Sequence, residues 1–238
     1  MEIDRQYPNK NKLMDIDRFI SSEPRTPYAP TWDFCIGKCA LDFNLDNLIK
    51  TCLEKEKEIL ELPVVKFKEE NGDEYFFDGY TGLGKDSTTA RSWLYNLFDW
   101  NTPETNSLKE QFKNRLDEYN TFLSNPIPKI YYSQCWYNVL RKGQYINPHL
   151  HSTNEKSYLS AHFTVQCDDT YTVYINPVNQ LNDPQIIEEK NKPGNLTIFP
   201  SYVPHYTTEH LSDAPRITIA MDVRFFKPEN DGGVWFEL

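Results

Sequence analysis

Arg216-Ile217-Thr218-Ile219-Ala220-Met221-Asp222-Val223-Arg224-Phe225-Phe226 is the stretch from which the fold can be read. Side chains on a strand alternate between its two faces. Ile217, Ile219, Met221, Val223 and Phe225 therefore share one face, and Arg216, Thr218, Ala220 and Asp222 share the other. The pattern predicts a strand over 216–226 with an apolar face toward a core. Residues 158–167 repeat it, with Leu159, Ala161, Phe163 and Val165 opposite Tyr158, Ser160, His162 and Thr164. Residues 130–140, 171–175 and 195–199 read as further strands. Several short alternating strands separated by turn signals predict a sandwich or jelly roll.

The period changes toward the N-terminus. Leu45, Leu48, Ile49, Cys52, Leu53, Ile59 and Leu60 have helical spacing over 44–61, with Asn44 as cap and Asp46 in the first turn. A second helix is expected over 104–123, carrying Leu108, Phe112, Leu116, Tyr119, Phe122 and Leu123 on one stripe. Asn125-Pro126-Ile127-Pro128 ends it, because proline cannot continue a helix. Residues 1–30 are polar and proline-rich and read as an irregular arm. The expected organisation is that arm followed by one domain, 31–238, with a helical part at 31–128 and a β core at 129–238. The fold class is α+β.

Composition narrows the function. The chain has 238 residues, 14% of them aromatic, which suits pleated, half-buried surfaces. Its formal net charge of −10 argues against sequence-independent binding to nucleic acid or anionic membranes. No apolar run approaches the roughly 18 residues of a membrane helix. No secretory signal is visible in Met1-Glu2-Ile3-Asp4-Arg5, so a cytoplasmic location is expected. Cys35, Cys39, Cys52, Cys135 and Cys167 are odd in number and scattered, which fits reduced thiols. Cys35 and Cys39 have no second pair nearby to complete a zinc site.

The chemistry gathers in the β half. Pro148-His149-Leu150-His151 places two imidazoles on the same side of an extended segment, where both can reach one ion. A third, His205, follows on Val203-Pro204. Non-haem Fe(II) centres use two histidines and a carboxylate in this manner; here His151 stands where the carboxylate is usual. Arg216 lies eleven residues past His205, with Thr218 on the same face. A buried guanidinium needs a carboxylate partner. That partner is either a ligand or an internal acid such as Asp222. Together these residues point to a mononuclear iron site beside an anion site for a small dicarboxylate. His162 faces the same side as a candidate for supporting the site without touching metal. His210 reads as a solvated turn residue.

Gly79-Tyr80-Thr81-Gly82-Leu83-Gly84-Lys85-Asp86 nearly spells a phosphate-binding loop. Asp86 stands where that loop needs Ser or Thr, so the stretch reads as a glycine-rich loop without nucleotide.

From about Tyr131 to Phe226 the chain resembles the 2-oxoglutarate/Fe(II)-dependent dioxygenases, most closely their prolyl-hydroxylase-like branch and its small bacterial and phage members. Gly143-Gln144-Tyr145 before His149-x-His151 and Leu159-Ser160-Ala161-His162-Phe163 carry the resemblance. So do Gly194-x-Leu196-x-x-Phe199-Pro200-Ser201 before His205, and Arg216-x-Thr218. The resemblance implies a double-stranded β-helix with N-terminal helices packed on it. It implies iron held by His149, His151 and His205, and 2-oxoglutarate held at its distal carboxylate by Arg216 and Thr218. The tyrosine that helps hold 2-oxoglutarate in the prolyl-hydroxylase branch falls near Thr164, so Asn138 or Ser160 is expected to substitute. Dioxygen is the other cosubstrate, and the prime substrate is a peptide or small molecule. Two other classes stay open. One is a three-histidine dioxygenase that does not use 2-oxoglutarate; the other is a β-helix binding module without chemistry. Succinate formation and metal content separate the three.

Overall fold

The computed structural model describes residues 14–64, 66–68, 70–151, 158–178, 183–229 and 233–238. In chain order the elements are β1 (Asp15–Ile20), β2 (Asp33–Ala40), α1 (Leu45–Leu60), β3 (Lys66–Lys68) and β4 (Glu74–Phe76). Two short 3-10 turns, Thr89–Arg91 and Leu97–Trp100, lead to α2 (Pro103–Phe122). Then come β5 (Tyr132–Leu140), β6 (Leu159–Gln166), β7 (Tyr171–Ile175), β8 (Ile186–Lys190) and β9 (Asn195–Pro200). The last are β10 (His205–Thr207), β11 (Arg216–Arg224) and β12 (Phe236–Glu237).

A seven-stranded sheet runs β1-β2-β9-β6-β11-β5-β12, and a three-stranded sheet runs β10-β7-β8. Pairing in both is antiparallel throughout. β11 lies between β5 and β6, with Thr218 opposite Asn138 on one side and Thr164 on the other. Its register on β6 shifts between Ile217 and Thr218, a local irregularity of the kind that re-aims side chains.

The alternation assigns the two faces of the large sheet. Leu159, Ala161, Phe163, Val165, Leu196, Ile198, Ile217, Ile219, Met221 and Val223 form one core with the apolar stripes of both α-helices. The helices therefore cover that face. Both have clear local reasons to start. Asn44 Oδ1 accepts from Asn47 N at the head of α1. Thr102 and Thr105 exchange side-chain and backbone hydrogen bonds at the head of α2, ahead of Pro103. Tyr119 of α2 donates its hydroxyl to Cys35 O at 2.8 Å, and Tyr137 of β5 donates to Cys52 O of α1 at 2.9 Å. These bonds key each helix to the sheet. On the other face a second core gathers Phe19, Trp32, Phe34, Ile36, Tyr174, Phe199 and Val203, joining the large sheet to the small one.

The arm is a correction. Residues 15–20, expected to be irregular, form the edge strand β1, paired residue by residue with β2 from Asp15↔Lys38 to Ile20↔Asp33. Residues 1–13 of the expected arm lie outside the described residues. The part expected to be helical, 31–128, also contributes β2 to the large sheet. All five cysteines are free.

Gly37 of β2 is set by close approach. A Cβ there would lie 2.7 Å from both Met14 Sδ and Tyr119 Cδ2. The Tyr119 ring is held by its hydroxyl bond, so it has little room to yield. Gly37→Ala is expected to destabilise the protein by about 1–3 kcal/mol through overpacking, lowering the thermal midpoint by several degrees. Scanning calorimetry of the two proteins reads this. An unchanged midpoint would show that the ring withdraws freely.

Candidate metal centre

The cavity between the two sheets has a volume of about 210 Å³. Its walls include the polar face of β11, namely Arg216, Thr218, Ala220 and Asp222. Gln134, Trp136 and Asn138 of β5, His162 of β6 and Thr172 of β7 also line it. His149, His151 and His205 line it too, and their candidate ligand nitrogens lie within 4.8 Å of one another. The expected ligand set thus converges from two separate segments.

Backbone pairing brings it together. His149 N donates to His205 O at 3.0 Å and His205 N to His149 O at 2.9 Å. These bonds lay the segment bearing the His-x-His pair antiparallel beside β10. His151 N donates to Ser201 O at 3.2 Å. The ring centroids are 4.4 Å apart for His149 and His205, and 5.2 Å for His151 and His205, with the latter pair stacked.

Each ring is also fixed at its rear nitrogen. His149 Nδ1 is 2.8 Å from Asn147 O, His205 Nδ1 is 3.1 Å from Val203 O, and His151 Nδ1 is 2.6 Å from Asp222 Oδ1. Carbonyl and carboxylate oxygens only accept, so Nδ1 carries the proton in all three rings. In a neutral ring of this tautomer Nε2 presents a lone pair. Metal-bound histidines are oriented in this way by the hydrogen bond at their other nitrogen. Burial pushes His149 down to about 4, with His151 adding to the shift. Burial, then His149 and His151, push His205 well below the usual imidazole range. Both rings are therefore neutral at neutral pH, the state that can ligate.

Arg216 is 1% exposed, yet its Nε and Nη1 have no hydrogen-bond partner. Burial lowers its pKa to about 10, with only Cys167 acting the other way, so it stays charged at neutral pH. Asp222, the internal acid considered as its partner, is turned to His151 instead. Thr218 Oγ1 and His162 Nδ1 are likewise buried without partners. His162 Nε2 is 3.0 Å from the Tyr174 hydroxyl, and burial followed by the Arg216 charge push this imidazole down to about 3. A buried cation with open N–H groups is costly unless an anion answers it. Thr89 donates its hydroxyl to Asn138 Oδ1, which leaves the Asn138 amide nitrogen free to donate. Ser160 is placed differently from the other candidates. Its hydroxyl bonds to Asp222 Oδ1 at 2.8 Å and to Ser201 Oγ at 3.0 Å, outside the cavity lining.

Two other expectations resolve here. His210 is 1% exposed and bonds through Nε2 to Ala214 O, so it is a buried turn histidine and not a solvated one. In the glycine-rich loop the Gly84 amide donates to Asp78 Oδ2 at 3.0 Å, so the loop closes on its own carboxylate. Thr81 O accepts from Asn147 N at 2.8 Å. Gly82 has φ +77°, and a Cβ there would lie 2.3 Å from Asn147 Nδ2. This loop buttresses the segment that carries His149.

Aromatic residues that sequence reasoning does not single out complete the lining: Phe77, Tyr80, Trp93, Trp136, Tyr158 and Trp235. Trp136 lies 5.8 Å from the His151 ring, centroid to centroid. It shares a face with Asn138 by strand alternation, the one signal that points to it.

Residues 134–222 match the family described as "Putative 2OG-Fe(II) oxygenase". That span runs from within β5 to within β11 and contains every candidate ligand, Arg216 and Thr218. No curated protein matches the chain in sequence. Among solved structures, AviO1 from Streptomyces viridochromogenes Tue57 is similar at TM-score 0.50 and 11% identity, over 84% of this chain and 91% of that one. Its likeness concerns the fold. The viral collagen prolyl hydroxylase of Paramecium Bursaria Chlorella virus-1 has TM-score 0.49 and 11% identity, over 81% and 90% of the two chains. The Trichoplax adhaerens prolyl hydroxylase, in complex with a hypoxia inducible factor oxygen degradation domain peptide fragment, has TM-score 0.48 and 13% identity, over 80% and 83%.

With one candidate ligand nitrogen from each of three rings within 4.8 Å of the others, loss of a ring should remove the ion. His149→Ala and His205→Ala are each expected to abolish Fe(II) retention by the folded protein, read by metal analysis after anaerobic gel filtration. Stoichiometric iron in the double variant would place the ion elsewhere.

Proposed function

We propose that this chain is an Fe(II)- and 2-oxoglutarate-dependent dioxygenase that hydroxylates a peptide or small-molecule substrate, with succinate and CO2 as co-products. One observation carries the reading: three histidines whose candidate ligand nitrogens lie within 4.8 Å of one another share a cavity with a buried guanidinium whose Nε and Nη1 have no partner. The first group suits a metal ion and the second a carboxylate. A ligand with a metal-binding end and a distal carboxylate satisfies both. The match over residues 134–222 names that metal and cosubstrate. On this reading the two facing sheets are a double-stranded β-helix.

His149, His151 and His205 would hold the iron, which when bound supplies dioxygen activation coupled to decarboxylation of 2-oxoglutarate. The chain's own part is placement. Arg216 offers a charged fork to the distal carboxylate, and Thr218, His162 and the Asn138 amide offer the remaining polar contacts. Trp136 beside His151 keeps bulk water from the reacting end. The aromatic wall of Phe77, Tyr80 and Trp93 leaves an apolar side for the prime substrate. A three-histidine dioxygenase without 2-oxoglutarate is the second reading, favoured by His151 at the ligand position where a carboxylate is usual; Arg216 argues against it.

The test is a 2-oxoglutarate titration of anaerobic Fe(II) protein, followed by the metal-to-ligand absorption band. Arg216→Ala should keep its iron and bind 2-oxoglutarate at least tenfold more weakly, since losing one charged hydrogen-bond partner costs about 2–5 kcal/mol. Equal affinity in both proteins would remove Arg216 from the cosubstrate site. No band and no succinate from wild type would favour the second reading.

A further inference from the structure

We propose that Asp222 is a positioning residue of the metal centre, supplying through His151 the negative charge that a carboxylate ligand would otherwise bring to the iron. The inference rests on the iron reading above and goes beyond it. Its ground is the 2.6 Å contact between Asp222 Oδ1 and His151 Nδ1.

Three neutral imidazoles leave an Fe(II) ion with its full charge. A carboxylate bonded to the far nitrogen of one imidazole raises that ring's basicity and fixes its tautomer. Asp222 is placed for this, although its charge is also felt by Arg224 two residues on. It projects from β11, the strand between β5 and β6, opposite Gln134 on one side and Ser160 on the other. The Ser160 hydroxyl donates to the same Oδ1, and Ser160 and Ser201 share a hydroxyl hydrogen bond. Ser201 O in turn accepts from His151 N. The carboxylate, the ring and the backbone of the ring are thus tied in one closed circuit: Asp222, Ser160, Ser201, His151. Among the described residues, the cluster of mutually close ligand atoms contains only the three histidines. The acid therefore stands behind His151 and not beside it. His149 and His205 have only backbone carbonyls at the equivalent nitrogen, so the charge is delivered to the one ring at the position where a ligand carboxylate is usual.

The experiment measures Fe(II) affinity and the Fe(III)/Fe(II) midpoint potential, with circular dichroism and thermal midpoint as controls on folding. Asp222→Asn keeps an acceptor oxygen and removes the charge. It is expected to bind Fe(II) about 10–100-fold more weakly and to shift the potential positive. The decisive comparison uses His151→Asp, which brings a carboxylate directly to the metal. In that background Asp222→Asn should no longer weaken iron binding. Equal weakening in both backgrounds would mean Asp222 only supports the fold, and overturns the inference. So would wild-type affinity and potential in the single variant. If wild type binds no Fe(II), the iron reading and this inference fall together; if wild type binds iron and only the variant result disagrees, this inference falls alone. Should Asp222→Asn fail to fold, Ser160→Ala carries the test. It frees the carboxylate without removing it, and is expected to weaken Fe(II) binding less than the loss of charge; unchanged affinity overturns the inference.

Discussion

β11 has to satisfy two environments at once. It lies between β5 and β6, so neither edge is free, and a shift of one residue would exchange its faces. One face, Ile217 to Val223, is packed under the helices; the other, Arg216 to Asp222, lines the cavity. Burial of the apolar face fixes the register, and the register then holds a guanidinium and a carboxylate at opposite ends of the cavity wall. The guanidinium and the carboxylate do not neutralise each other. Asp222 is engaged by His151, and Arg216 is left with open donors. The separation keeps a buried positive charge available for a ligand and sets the negative charge beside the histidine cluster.

The rest of the molecule serves that arrangement. α1 and α2 seal the outer face through Cys52, Leu108, Phe112, Leu116 and Tyr119. β7 and β10 supply the opposing wall, and the glycine-rich loop braces Asn147, whose carbonyl orients His149. A change at Gly82 would therefore reach His149 without touching it.

Much of the fold and of the site is legible in the amino-acid sequence. The alternation of 158–167 and 216–226 specifies the strands β6 and β11 and their buried faces, because a period of two states which side chains share a face. β7 has the bounds its pattern predicts, and both α-helices lie within a residue or two of theirs. His149, His151, His205 and Arg216 stand out by spacing. The departures share a cause. A periodic pattern names a face but not the neighbour across it. Residues 15–20 carry little strict alternation, with Ile16, Phe19 and Ile20 among polar residues, and their pairing with β2 uses backbone groups at an edge. Ser160 and Asp222 lie on the predicted faces, but their mutual bond depends on strand order, which the sequence does not state. The polar flanks of His210 suggest solvation, yet the turn folds it inward onto Ala214 O.

The paired amides and carbonyls of His149 and His205 have one more effect. They make the two histidine-bearing segments a miniature ladder held by backbone bonds alone. Three rings already held by their rear nitrogens need little rearrangement to receive a cation. If the three rings hold an ion as proposed, the ordering entropy of the cage is charged to folding and not to metal capture, and the centre would act as a rigid chelate. Such a chelate can discriminate between ions by size and preferred geometry, where a floppy one would simply wrap whichever ion came first.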